Sequence, residues 1–85
     1  MSRISSKNRE KIKQEILRLL FEANLLLMST KSIADELIRN DEMILVLLTD
    51  LQKLRLIERV GAYKKRRYWR LTAQAYQEYK KLAHL

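Results

Sequence analysis

The feature that most constrains this chain is the absence of proline and the presence of a single glycine, Gly61, among its 85 residues. Without proline, no residue removes an N–H from a helical ladder. With one glycine, only one position takes unusual dihedral angles at no steric cost. The chain is therefore expected to be built of uninterrupted helices, with a hairpin turning at Gly61.

Hydrophobic spacing fills in the helices. Ile12, Ile16, Leu19, Leu20 and Ala23 recur at three- and four-residue steps, which predicts an amphipathic helix over 6–23, capped by Ser5 or Ser6 and preceded by a flexible N-terminus at 1–5. Leu25-Leu26-Leu27-Met28 reads as a brief strand or extended link. Thr30 is expected to cap a second helix over 31–38, with Ile33, Ala34, Leu37 and Ile38 on its inner face. Arg39-Asn40-Asp41 forms a polar break in which Asn40 tolerates a left-handed conformation and Asp41 caps a third helix over 42–54. Two β-prone runs within 56–71 predict the hairpin, its connection being Gly61 to Arg66. Thr72 then caps a last helix over 73–83, whose Ala75, Tyr76, Tyr79, Leu82 and Ala83 make an apolar stripe.

Composition bounds the partners. With 47% hydrophobic residues there is material for one core, and some is expected to remain for a subunit contact. A formal charge of +8 favours a polyanion. There is no cysteine, which excludes disulfides and thiolate metal sites. The most apolar stretch, Ile16 to Met28, is broken by Arg18, Glu22 and Asn24 and lies behind many charges, so neither a membrane span nor a signal peptide is expected. A cytoplasmic location follows as the expectation, with nucleoid association if the source is prokaryotic.

The order α-β-α-α-β-β-α, mainly α with a small β-hairpin, is the winged helix-turn-helix arrangement, here as a single domain over 1–85. Met28-Ser29-Thr30-Lys31-Ser32-Ile33-Ala34-Asp35-Glu36-Leu37 resembles the opening of the helix-turn-helix in transcriptional regulators of the MarR, ArsR and PadR type. Leu51-Gln52-Lys53-Leu54-Arg55-Leu56-Ile57-Glu58-Arg59 is similar to the end of their third helix and first wing strand, and Trp69-Arg70-Leu71-Thr72 to the second wing strand and following cap. The resemblance covers Ile12 to Ala83. It implies binding of double-stranded DNA and a homodimer formed through the C-terminal helix, helix 1 or both. Arg55 departs from it, standing where such regulators carry glycine.

The residues expected to touch DNA fall in four groups. Thr30, Lys31 and Ser32 open the second helix, where free N–H groups suit a phosphate. Arg39 and Asn40 occupy the turn. On the third helix, Ile44, Leu48 and Leu51 facing the core turns Glu42, Val46, Thr49 and Lys53 outward, flanked by Met43, Leu45, Asp50 and Gln52. That face is poor in base readers: Lys53 and Gln52 are its only hydrogen-bonding candidates, while Val46, Thr49 or Met43 suit thymine methyls. The strongest ligand signal lies in the hairpin, where Arg59, Lys64, Lys65, Arg66, Arg67 and Arg70 supply six basic residues with no acidic one among them, interleaved with Tyr63, Tyr68 and Trp69. Lys64, Lys65, Arg66 and Arg67 are the expected backbone contacts.

The acidic and aliphatic character of Glu42 to Asp50 supports an alternative, a winged-helix protein-interaction module docking through the apolar side of the third helix. A third reading is RNA binding through the aromatic, basic hairpin. His84 is the lone histidine, and no nucleophile-base set, phosphate loop or metal-ligand spacing occurs, so no enzyme, cofactor or metal site is expected. Nor is a ligand pocket, since every apolar position has a role in core or interface.

Overall fold

The computed structural model of the chain describes residues 6–23, 26–63 and 66–83. Its elements follow in the order α1 (Ser6–Glu22), β1 (Met28–Ser29), α2 (Thr30–Leu37), α3 (Asp41–Lys53), β2 (Ile57–Tyr63), β3 (Arg66–Leu71) and α4 (Ala73–Ala83). This is the expected α-β-α-α-β-β-α order. The helix α1 already includes Ser6, so of its two candidate caps only Ser5, outside the described residues, precedes it.

Helix ends are set by chemistry that differs in detail from the expectation. Ser29, not Thr30, caps α2: its hydroxyl accepts from the Ser32 N–H at 3.1 Å and meets the Ser32 hydroxyl at 3.0 Å. Thr30 is drawn into the helix because its own hydroxyl accepts the Trp69 indole N–H at 2.8 Å. Ile38, expected on the inner face, instead ends the helix in the left-handed region at φ 54° and is 88% exposed. The Arg39 N–H then bonds to the Ala34 carbonyl at 2.9 Å and the Ile38 N–H to that of Asp35 at 3.2 Å, a Schellman closure that ordinarily uses glycine.

Asn40 is extended at φ −68° rather than left-handed, and it takes the capping role expected of Asp41. Its amide oxygen accepts from the Glu42 and Met43 N–H groups at 2.8 and 3.3 Å. The left-handed residue of the turn comes two positions earlier, which frees Asn40 to cap and makes Asp41 helical. The exit of α3 repeats the closure of α2. Arg55 is left-handed at φ 61°, with its N–H on Gln52 and that of Leu56 on Leu51 at 2.9 and 3.1 Å. Thr72 fastens this exit to the next helix: its hydroxyl donates to the Arg55 carbonyl at 3.0 Å and accepts from the Ala75 N–H at 3.2 Å.

The sheet has the order β1-β3-β2, with β3 central and both pairings antiparallel. Gly61 does not form the hairpin turn. The register steps from Arg59↔Trp69 to Ala62↔Arg67, so β2 carries one extra residue there, and Gly61 sits in that bulge at φ 59°. Beyond it the strands continue to the pair Tyr63↔Arg66, leaving 64–65 as the connection. A bulge consumes the left-handed residue without ending the ladder, which is why both strands outrun the expectation.

Every element except β1 and α4 places an aliphatic or aromatic side chain in the core. Ile12, Ile16 and Leu20 of α1 meet Ile33 of α2, Ile44, Leu47, Leu48 and Leu51 of α3, and Ile57, Trp69 and Leu71 of the sheet. Trp69, 2% exposed, is the largest of them. The helix α4 is held by Tyr76 and Tyr79 stacking obliquely on Phe21, with ring centroids 5.2 and 4.6 Å apart. Leu26 and Leu27, read as part of an apolar run, are exposed.

Candidate nucleic-acid interface

The outward stripe of α3 consists of exposed Glu42, Val46 and Lys53 with half-buried Thr49 between them. Two of the neighbouring polar groups are already engaged. The Thr49 hydroxyl donates to the Leu45 carbonyl at 2.8 Å, and the Asp50 carboxylate is paired with Arg9 at 3.1 Å and Lys13 at 3.6 Å on α1. Part of the acidity read on this helix is thus neutralised from the side facing α1. The pairing was not legible in the sequence, since it joins residues 41 positions apart.

In the turn, Arg39 is exposed and carries no acidic partner among the described residues, while Asn40 is committed to its cap. At the start of α2, Lys31 pairs with Asp35 at 3.8 Å and Ser32 is bound into the Ser29 cap. One of the N–H groups expected to meet a phosphate is therefore already satisfied.

The wing presents Arg66 and Arg67, both exposed and without an acidic partner among the described residues. Lys64 and Lys65 lie outside the described residues. Arg70, counted with the wing cations from sequence, sits opposite Glu58 and binds it at 3.2 Å. Its charge is spent at the base of the hairpin.

Tertiary structure brings Thr30, Lys31, Arg66 and Arg67 to one cleft of about 380 Å³, which Ser32, Arg39, Asn40, Val46, Thr49 and Lys53 do not line. Thr30 and Lys31 enter from α2, Asp41, Glu42 and Leu45 from α3, and Arg66 and Arg67 from β3. The two acidic residues of the α3 first turn, which suit the helix dipole, thereby stand across from two arginines and a lysine. Trp69 fixes this arrangement from below, since the strand that carries Arg66 and Arg67 also sends the indole to Thr30. Sequence reading placed neither acidic residue in this cleft. It also missed a second, apolar concavity of about 460 Å³ between α1, α4 and the exit of α3, lined by Leu17, Leu54, Leu56, Leu71, Ala75, Tyr79 and Leu82. Among the described residues no cluster of metal-binding side chains occurs, and no helix is long and apolar enough to cross a membrane.

No protein-family model and no curated protein matches the sequence. Solved structures do match. A mutant of MepR from a multidrug-resistant S. aureus clinical isolate aligns over 88% of this chain and 56% of its own at 19% identity and TM-score 0.75. The apo form of a Lactococcus lactis ZitR mutant aligns over 93% and 59% at 26% identity and TM-score 0.75. The transcriptional regulator PA4135 aligns over 87% and 54% at 18% identity and TM-score 0.73. The chain spans little over half the length of these structures. Its similarity to winged-helix regulators of the MarR type holds at the level of the fold.

Proposed function

We propose that this winged-helix chain is a double-stranded DNA-binding transcriptional regulator of modest sequence specificity. In this reading α3 enters the major groove and the wing rests on the phosphate backbone or in the minor groove beside it. The observation that supports it is the cleft in which exposed Arg66 and Arg67 stand beside the first turn of α3, because a duplex touching that helix meets the arginines as well. Affinity then comes mainly from counterion release by the wing, Lys31 and Arg39, and the alignment of the duplex from those same phosphate contacts.

Two copies are proposed to pair through α1 and α4, where Leu82 of α4 is 67% exposed on the apolar concavity that Leu54, 63% exposed at the exit of α3, also lines. A dimer engages half-sites about 34–36 Å apart, one helical turn of DNA. Leu82→Glu should convert dimer to monomer in analytical ultracentrifugation. A cytoplasmic site of action and a binding rather than a catalytic role belong to the same reading.

The test is a titration of duplex DNA at several salt concentrations. Each phosphate contact contributes about 0.9 to the slope of log K against log salt, so the double variant Arg66→Glu, Arg67→Glu should flatten it by about 1.8. Affinity that does not depend on salt, or no affinity at all, defeats the proposal. The half-exposed Val46 keeps one competitor in view, docking on a protein through α3. Duplex binding indifferent to both Val46→Arg and the wing variant, with loss of a protein partner in the first, would favour it.

A further inference from the structure

The α3 stripe is unusual for a helix that reads bases, and the geometry narrows what it can read. Direct readout in the major groove relies on Arg, Lys, Asn or Gln reaching base edges, or on carboxylates accepting from cytosine. The amide oxygen of Asn40 is consumed by two backbone N–H groups, the Thr49 hydroxyl proton by the Leu45 carbonyl, and the Asp50 carboxylate by Arg9 and Lys13. Glu42 faces the cationic cleft with Arg66, Arg67 and Lys31. Gln52 and Lys53, both exposed, stand in the last turn as the hydrogen-bonding readers at that end of the helix, and Arg39 lies outside it.

At the middle of the stripe is Val46, one turn from Glu42 and 52% exposed. A branched hydrocarbon neither donates nor accepts. With its hydroxyl proton bonded back to the helix, Thr49 offers a ligand its methyl group and an oxygen that can only accept. On the major-groove edge of a base pair, the one apolar group is a methyl at C5 of a pyrimidine.

We infer that this chain recognises pyrimidine 5-methyl groups through Val46, flanked by Thr49, and that its preferred duplex is one whose bound face carries thymine or 5-methylcytosine. The inference rests on the DNA-binding reading and adds the chemistry of selection to it. Charge on the wing holds any duplex. The helix then favours duplexes whose methyls fill the contact at Val46, and each methyl so buried is worth about fourfold in affinity.

The experiment begins with duplexes selected by the wild-type chain from a random pool, resynthesised with deoxyuridine for one thymidine at a time. This exchange removes the methyl and keeps the charge and base pairing. One or two positions should lose about fourfold in affinity at fixed salt, and Val46→Ala should bind the thymidine and deoxyuridine forms alike. At those positions, 5-methylcytosine tighter than cytosine extends recognition to methylated DNA, while equal binding confines it to thymine. A circular-dichroism melt checks that the variant is folded. If no deoxyuridine exchange weakens binding, or if the loss persists in Val46→Ala, methyl recognition by this residue is overturned while the DNA-binding reading stands. Failure of the wild-type chain to bind any duplex removes both.

Discussion

The first turn of α3 and the wing face the same cleft, and the outer stripe that continues from that turn is the wing's opposite in chemistry. Along α3 and its cap, Asn40, Thr49 and Asp50 are engaged inside the protein, by backbone N–H groups, a carbonyl and two basic residues of α1, and a hydrocarbon stands at the centre of the stripe. On the wing, Glu58 takes Arg70 at the base while Arg66 and Arg67 remain exposed. The contrast separates two tasks that a DNA-binding surface must perform. Cations on an edge hold a uniform polyanion, and the shape and chemistry of the helix choose among sequences.

Trp69 joins the two regions, so its loss is the strongest way to break the comparison. Trp69→Ala empties a fully buried site and frees Thr30, and should cost about 3–5 kcal/mol, enough to leave little folded protein in a urea titration. The paired wing change comes next. Arg66→Glu with Arg67→Glu should lower duplex affinity at least tenfold at low salt while leaving the melting temperature nearly unchanged, because both side chains are exposed and have no acidic partner among the described residues. An equal loss from neutralising Lys80 and Lys81 on α4 would show that charge alone, without position, governs binding.

A smaller effect is expected at the ends of the two helix-turn-helix helices. Ile38 and Arg55 adopt left-handed conformations at φ 54° and 61°. Replacing Ile38 with glycine should therefore raise stability by about 1 kcal/mol, a few degrees in a thermal melt of a domain this size. The smallest change is predicted for Asp50→Asn. Its ion pairs are partly solvated and worth about 0.5 kcal/mol, yet the release of Arg9 and Lys13 should show as a slightly steeper salt dependence of DNA binding. No change in that slope would mean that α1 lies beyond reach of the duplex.

Much of the framework could be read one segment at a time. The four-residue spacing of Ile12, Ile16 and Leu20 marks the buried face of α1, and Thr72 is a cap wherever the following helix packs. Arg55 stood out only through the resemblance, as the place where such regulators carry glycine, and it is left-handed. Positions decided by partners far along the chain were harder. Ser29 and Thr30 are adjacent hydroxyl residues with similar capping chemistry, and the choice between them depends on an indole 39 positions away. Gly61 marked a left-handed residue correctly but not its setting, since a turn and a bulge both accept one. The groups expected on the interface were identifiable by type, whereas the commitment of Asn40, Thr49 and Arg70 to internal partners was not.

Periodicity, capping residues and charge depend on near neighbours, and they determined by themselves the order of elements, the apolar faces and the cationic hairpin. The tertiary structure alone decided which polar groups are consumed internally, that β3 is the central strand, and that the wing arginines share a cleft with α3. The physical reason is range. Helical and strand preferences act over a few residues, while a buried indole, an ion pair or a cleft wall takes its meaning from a group the chain supplies dozens of positions away.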